Sequence, residues 1–377
     1  MAAAAADRDQ IVSSNPDMFS PELERTLSGI ALSLMLQHKY DDAASFYRLV
    51  QRVAQAIHDQ TTLAFVLLDL GNVEKEQGNS DRALDQYQNA LARFQTLRNG
   101  DGLATALEDI GQVFESQRNY PEALGAYQRA ATAYQSLGNK AAAGAAMEDS
   151  GNVYYEQGTY DLALTAYQKS IDLRADPQTV QSTGPALASV GNIYFSRKQY
   201  ELAIADYEKA LPLLESGGEA DSVPGINSRL ADIYYAMHNY DAALKKYKEA
   251  LDGCEALGDK DLGATIGESI GNLYNDKGQF TQAAEYLLKS LGARIAQKSD
   301  PAIAGLLGEI GGVYYRSRDF EKALDYYSRA LVKFESLASH NPGDQLGVEA
   351  MLQNLANVYY HQGELESASE FYSRTLK

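Results

Sequence analysis

The chain has no tryptophan, and among its 377 residues it holds one cysteine, five histidines and nine prolines. A single thiol, Cys254, excludes an internal disulfide. It continues the apolar stripe Tyr247, Ala250, Cys254 and reads as a core residue of a helix. No apolar run approaches the roughly 18 residues that a membrane-spanning helix needs. Basic residues are outnumbered, 33 Lys and Arg against 51 Asp and Glu, for a net charge of −18. That balance argues against nucleic acid, whose phosphates require cations, and equally against anionic membrane surfaces. It favours partners that are basic or polar. The start, Met1 to Ala6, is small and apolar but lacks the basic n-region and long h-region of a signal peptide. A soluble, cytoplasmic protein is expected, with the periplasm or secretion left open.

Chemistry is equally sparse. His38, His58, His238, His340 and His361 fall at unrelated positions without metal-ligand spacing. Cys254 has no histidine partner that sequence can place. Gly217-Gly218 lies in a polar linker and no Gly-Lys-Ser/Thr follows, so a phosphate loop is missing. Acidic pairs are frequent but follow the repeat described next, as solvated carboxylates do. No catalytic residue, cofactor or metal is expected, and the chain reads as a non-enzyme.

What the sequence does contain is a repeat of 40 residues, running through blocks that start at Ile30, Leu70, Ile110, Ser150, Val190, Leu230, Ile270 and Ile310. A ninth block starts at Leu355, displaced by five inserted residues around His340 to Asp344. Each block has a small residue in second place, such as Gly71, Gly111, Gly151 or Gly191. An aromatic follows ten residues after the start, then Ala three further on, then Tyr four beyond that. A fixed period of this length marks a solenoid and displaces the two or three globular domains that length alone suggests.

Within a block the spacing predicts two helices of roughly 15 to 18 residues and no strands. In the fourth block Ser150, Gly151 and Tyr154 share one helical face, Gly158 supplies a stop, and Tyr160, Ala163, Leu164, Tyr167 and Ser170 recur at helical spacing. Pro121 sits where a second helix starts, and Gly138 and Gly258 where second helices end. Glycine inside a helix costs on the order of 1 kcal/mol against alanine, so its recurrence implies a close approach between helices. The tyrosines at 87, 127, 167, 207, 247 and 327 read as packing residues.

These residues make the chain resemble the tetratricopeptide repeat proteins, in the long-repeat class near 40 residues, from about residue 25 to 377. The resemblance rests on the run Leu-Gly-x-x-Tyr…Gly-x-Tyr-x-x-Ala…Tyr-x-x-Ala, nearly intact from Gly151 to Ser170 and from Gly191 to Ala210. Departures are local: Leu34, Glu74, Ser80, Leu287 and Leu365 replace the usual aromatics. The run is also similar to bacterial arrays that sit beside signalling or caspase-like peptidase domains. The resemblance implies an all-α, right-handed superhelical solenoid of nine helix-turn-helix repeats, with first helices lining a concave groove. The expected organisation is a flexible segment over 1–20, then one solenoid over 21–377, with repeats beginning near 22, 61, 101, 141, 181, 221, 261, 301 and 345.

A ligand site is expected at the third position of each block: Asn72, Gln112, Asn152, Asn192, Asp232, Asn272 and Asn357, interrupted by Leu32 and Gly312. Two residues is about 200° around a helix, which turns these side chains away from the packed face and leaves them without a packing role. In some long-repeat relatives, equivalent asparagines bond the backbone of an extended peptide, and an amide can both donate and accept. The same face carries Asp69, Asp109, Asp149 and Glu156, with Glu76, Glu108 and Glu148 beside them, and the aromatics Tyr155 and Tyr235. A basic, extended peptide engaging blocks two to four is the expected partner. The competing reading is the sensor or substrate-recruiting arm of a larger enzyme.

Three segments break the pattern. Asp176 to Gly184 and Glu215 to Pro224 are irregular connectors that keep the period, and Ala338 to Leu346 is a longer surface loop. Pro21 is expected to open the first helix. The chain stops at Lys377, inside a second helix, where solenoids normally place a polar cap. A longer parent protein is the favoured explanation, with self-association through the exposed end face as the other.

Overall fold

A computed structural model describes residues 20–375, in which no strand occurs. The chain divides into two compact units, with the boundary between Ile193 and Tyr194. Unit 1 contains the hairpins α1 (Pro21–Leu36) and α2 (Tyr40–Ala56), α3 (Gln60–Glu76) and α4 (Ser80–Leu97), α5 (Gly100–Ser116) and α6 (Tyr120–Ser136), and α7 (Lys140–Glu156) and α8 (Tyr160–Leu173). The boundary falls within α9 (Gly184–Ser196). Unit 2 continues with α10 (Tyr200–Gly217), α11 (Val223–Ala236), α12 (Tyr240–Leu257), α13 (Lys260–Asp276) and α14 (Phe280–Ala296). It ends with α15 (Asp300–Arg316), α16 (Phe320–Ala338), α17 (Gln345–Gln362) and α18 (Leu365–Thr375). Odd-numbered helices are the first of each repeat, even-numbered ones the second. The flexible segment expected over 1–20 lies, apart from Ser20, outside the described residues.

The caps explain why the period holds. Several first helices start behind an Asn or Asp whose side chain accepts a backbone N–H three residues on: Asn99 from Gly102, Asn139 from Ala142 and Asp259 from Leu262. Ser20 caps α1 in the same way, with Pro21 at its first position. Between α7 and α8, Gly158 adopts φ 72°, with its N–H donating to Tyr155 and that of Thr159 to Tyr154. This paired closure stops a helix while satisfying its last carbonyls. The same two bonds recur at Arg118-Asn119 and Lys198-Gln199, so the turn geometry holds without glycine.

Inside each hairpin the small residues face a ring. A Cβ on Gly151 would lie 2.6 Å from Tyr167 Cδ1, and one on Gly111 would lie 2.6 Å from Tyr127 Cε1. The glycine therefore lets a tyrosine of the second helix lie flat on the backbone of the first. Tyr87, Tyr127, Tyr167 and Tyr207 are among the largest fully buried side chains, and Ala83, Ala123, Ala163 and Ala203 are wholly enclosed beside them. Where repeat seven replaces tyrosine, Leu287 occupies the same seat against Gly271.

Helix lengths range more widely than the sequence suggests. α8 has 14 residues, α9 has 13 and α16 has 19. The two irregular connectors each hold a short 3-10 turn, Val180–Thr183 and Ala220–Ser222, and the insertion holds another, Pro342–Asp344. In the first connector, directly after α8, Arg174 turns inward, where it is 4 % exposed.

Candidate functional site on the first-helix face

The third-position residues have a packing role after all. Asn72 Oδ1 accepts the hydroxyl of Tyr87 at 2.7 Å, and Asn152 that of Tyr167 at 2.7 Å. Asp232 accepts from Tyr247 at 2.5 Å, and Asn357 from Tyr372 at 2.6 Å. Each bond spans 15 residues within one hairpin. The expectation of a side chain without packing function is thereby corrected. A tyrosine ring buried on the backbone needs an acceptor for its hydroxyl, and this position supplies it. Only the oxygen is consumed; the amide nitrogens of Asn72, Asn152 and Asn357 make no hydrogen bond among the described residues.

The exceptions follow local chemistry. In repeat three Tyr127 donates instead to Glu115 at 2.5 Å, and Gln112 accepts Lys75 Nζ of the preceding first helix at 2.9 Å. In repeat seven no hydroxyl exists, and Asn272 Nδ2 donates to Glu309 on the next first helix at 3.2 Å. Such bonds between consecutive first helices place these residues on one face of each unit. Asn192 is half-buried and lines the cavity described below.

In unit 1 this face is acidic and only partly neutralised from within, by Arg174 at Glu148 and by Lys75 near Asp109. Asp69, Asp109 and Asp149 stand one per repeat, half-buried, with no ion pair among the described residues. Burial, with Asp109 adding repulsion, pushes Asp69 up to about 6. Burial does the same to Asp109, also to about 6, where Lys75 partly offsets it. Burial followed by repulsion from Glu108, Glu115 and Glu148 brings Asp149 to about 7. Desolvation and like charge both disfavour the anion.

Beside Asp149 a cavity of about 370 Å³ is lined by Glu115, Asn152, Tyr155, Glu156, Tyr167, Ser189 and Asn192. Glu115 and Glu156 each accept a tyrosine hydroxyl, from Tyr127 and Tyr120, but neither meets a cation among the described residues. Tyr155 is 37 % exposed, its ring resting on Tyr160 at 5.5 Å.

Unit 2 pairs the carboxylate that corresponds to Glu156. Asp276, three periods after Glu156, receives the hydroxyl of Tyr235 and the guanidinium of Arg316 at 3.3 Å. Arg316 also lies over the ring of Phe280 at 5.7 Å. Tyr235, expected on the ligand face, has its hydroxyl engaged by Asp276.

Sequence reasoning missed the inward Arg174, which pairs with Glu148 at 2.7 Å and bonds the carbonyls of Ala141 and Ser182. One signal was present: Gly144 stands where other repeats have Ala64 and Ala104, and a Cβ there would meet Arg174 Nε at 2.5 Å. Among the described residues no group of three or more His, Cys, Asp or Glu is arranged to hold a metal ion. No helix among them is long and apolar enough to cross a membrane.

Comparison with known proteins agrees with the architecture. Family models described as tetratricopeptide repeat match residues 22–96, 102–176, 222–296 and 302–377, and a second of the same description matches 185–213. No curated protein sequence matches. Among solved structures, a STAND signal transduction ATPase with a tetratricopeptide repeat sensor, from Pyrococcus horikoshii, aligns with TM-score 0.61 at 14% identity. It covers 95% of this chain, which spans 53% of that protein's length. The apo form of RapI aligns with TM-score 0.53 at 14% identity, over 72% of this chain and 99% of its own. Aspartyl phosphate phosphatase F from Bacillus subtilis aligns with TM-score 0.51 at 13% identity, over 94% and 92%. At these identities the likeness concerns the fold.

Proposed function

The chain belongs to the tetratricopeptide repeat family, whose members are protein-interaction modules, and from its first-helix faces we propose a non-enzymatic scaffold that holds a basic, extended peptide segment against unit 1. The observation that carries this reading is the contrast between the two units. Unit 2 places an arginine of its own against Asp276 and Phe280, whereas unit 1 sets Glu115 and Glu156 around a cavity with an exposed tyrosine and no cation among the described residues. A guanidinium or ammonium group from a partner would find there the carboxylate and ring that Arg316 finds within the chain. The amide nitrogens of Asn72 and Asn152 remain able to donate to a peptide carbonyl.

The test is fluorescence anisotropy with a labelled peptide of alternating arginine and serine, against the same peptide with citrulline. The arginine peptide should bind, weaken with added salt, and lose roughly tenfold in affinity, about 1.4 kcal/mol, on Glu115→Gln with Glu156→Gln. Equal affinity for the citrulline peptide would overturn the reading. A second reading, the recruiting arm of a larger multi-domain enzyme, draws on the repeat sensor of the Pyrococcus ATPase and uses the same face.

A further inference from the structure

The junction of repeats six and seven departs from its neighbours at three positions that meet in space. Cys254 stands where Phe94, Tyr134 and Phe334 stand in other repeats. Gly263 replaces Leu63, Leu103 and Ile303, and Gly267 replaces Leu67, Leu107 and Leu307. In those repeats the bulky residues close the seam between a second helix and the hairpin that follows, and Phe94, Leu107 and Leu307 are all buried. Here the volume is missing and the helices have not collapsed onto it. A cavity of about 290 Å³ opens between α12, α13 and α14.

Its walls include Leu251, Cys254 and Tyr286, with Gly263 and Gly267 on the α13 side. A Cβ at Gly263 would stand 3.6 Å from Cys254 Cβ and 3.8 Å from Leu251 Cδ1, ordinary contact distances, so space and not crowding surrounds that glycine. Gly267 differs: a Cβ there would collide with Ser290 Oγ, and that hydroxyl is tied to the Ala264 carbonyl. Gly263 is therefore the position whose absent side chain leaves the cavity.

The rim is polar and unequally satisfied. Lys289 is paired with Glu255 at 3.0 Å. Asp259 accepts the N–H groups of Asp261 and Leu262 as the cap of α13. Lys260, at the first position of α13, has no ion-pair partner among the described residues, and its location at a helix start adds to the positive potential there. An engineered apolar cavity of about 150 Å³ holds benzene, so this one accommodates a larger ring or a short branched chain and is too small for a folded segment.

We propose that this cavity is a binding site for a compact apolar carboxylic acid, aromatic or short-chain aliphatic, with its hydrocarbon body against Leu251, Cys254 and Gly263 and its carboxylate at Lys260. The site lies wholly within unit 2 and is independent of the acidic face of unit 1. Charge complementarity favours the acid: Glu255 is matched by Lys289, the Asp259 carboxylate keeps its charge but is held on the backbone N–H groups of α13, and Lys260 is the rim cation without an ion-pair partner among the described residues.

The test uses fluorine NMR of para-trifluoromethylbenzoate, with the matching benzyl alcohol and benzylamine as neutral and cationic analogues. The intact chain should broaden the benzoate signal most and the amine least. Gly263→Leu, which restores the side chain found in other repeats, should abolish broadening for all three. Lys260→Gln should weaken the benzoate by roughly two- to fivefold, as expected for an exposed ion pair, and leave the alcohol unchanged. If circular dichroism shows that Gly263→Leu fails to fold, Gly263→Val replaces it as the smaller filler. Absence of benzoate broadening at millimolar concentration, an amine bound as well as the acid, or binding that survives the filled cavity would each overturn the proposal.

Discussion

The tyrosine–asparagine bond inside the hairpins of repeats two, four and nine sets a sharp test, because a groove residue and a packing residue respond differently to removal. In repeat four the Tyr167 ring is 1 % exposed, while Asn152 is half-buried with its Oδ1 2.7 Å from the hydroxyl. Asn152→Ala removes the acceptor and leaves the largely buried hydroxyl with Ser189 as its remaining side-chain neighbour. A lost side-chain hydrogen bond costs about 0.5–1.5 kcal/mol net, and an orphaned buried donor about 1–3 kcal/mol, so a loss near 2 kcal/mol is expected. Tyr167→Phe deletes the donor and leaves Asn152 able to bond water, for a loss of about 1 kcal/mol. The double variant strands nothing, and the cycle should return a coupling of about 1 kcal/mol. Repeat arrays unfold in parts, so the assay is native-state hydrogen exchange of the α7 and α8 amides alongside urea unfolding. A change below about 0.5 kcal/mol for Asn152→Ala, with no coupling, would refute the packing role and return the asparagine to ligand binding alone. The double variant is also the right background for peptide binding, since it removes the amide donor without stranding the tyrosine.

Three other outcomes follow from the same geometry. Gly151→Ala should destabilise by about 1–3 kcal/mol through collision with Tyr167, whereas Gly125→Ala, with nothing within 4 Å, should stabilise by about 0.5–1 kcal/mol; paired melting curves of opposite sign check this. Asp69, Asp109 and Asp149 have folded-state values raised to about 6, 6 and 7. Their protonated forms therefore favour the fold: this stability is full below the unfolded value near 4 and is lost as pH rises through about 6 to 7. Melting temperatures measured from about pH 5 to pH 8 should fall for the native chain and fall less for Asp149→Asn, while affinity for the arginine peptide should rise over the same interval. Arg174→Ala should cost about 3–5 kcal/mol, because Glu148 is left partly buried without its cation; urea unfolding checks it.

Much of the fold was legible because the repeat states it nine times. Hairpin limits, the stops at Gly138, Gly158 and Gly258, and the opening at Pro21 all follow from local backbone preference, which sequence carries directly. Side-chain partners were harder. Rotation about a helix placed Asn152 off the packed stripe, yet could not show that a tyrosine 15 residues later reaches across with its hydroxyl. The distance from ring to helix axis sets that reach, and periodicity does not contain it. Arg174 was overlooked for a related reason: a long cationic side chain reads as solvent-facing until the glycine opposite is considered. The acidic character of Asp69, Asp109 and Asp149 was visible in composition, but that unit 2 answers Asp276 with Arg316, where unit 1 leaves Glu156 without a cation among the described residues, depended on which residues the fold brings together.

In repeats two, four, six and nine the bond from the tyrosine hydroxyl to the third-position side-chain oxygen stays within its hairpin. A module whose most enclosed polar group is satisfied from within can be copied, removed or shuffled in steps of one period without stranding that group. Gene duplication acting on such a chain begins with a part already complete in this respect. The number of coils is then free to track the size of what they hold, and individual surfaces can diverge while the internal fastening stays the same.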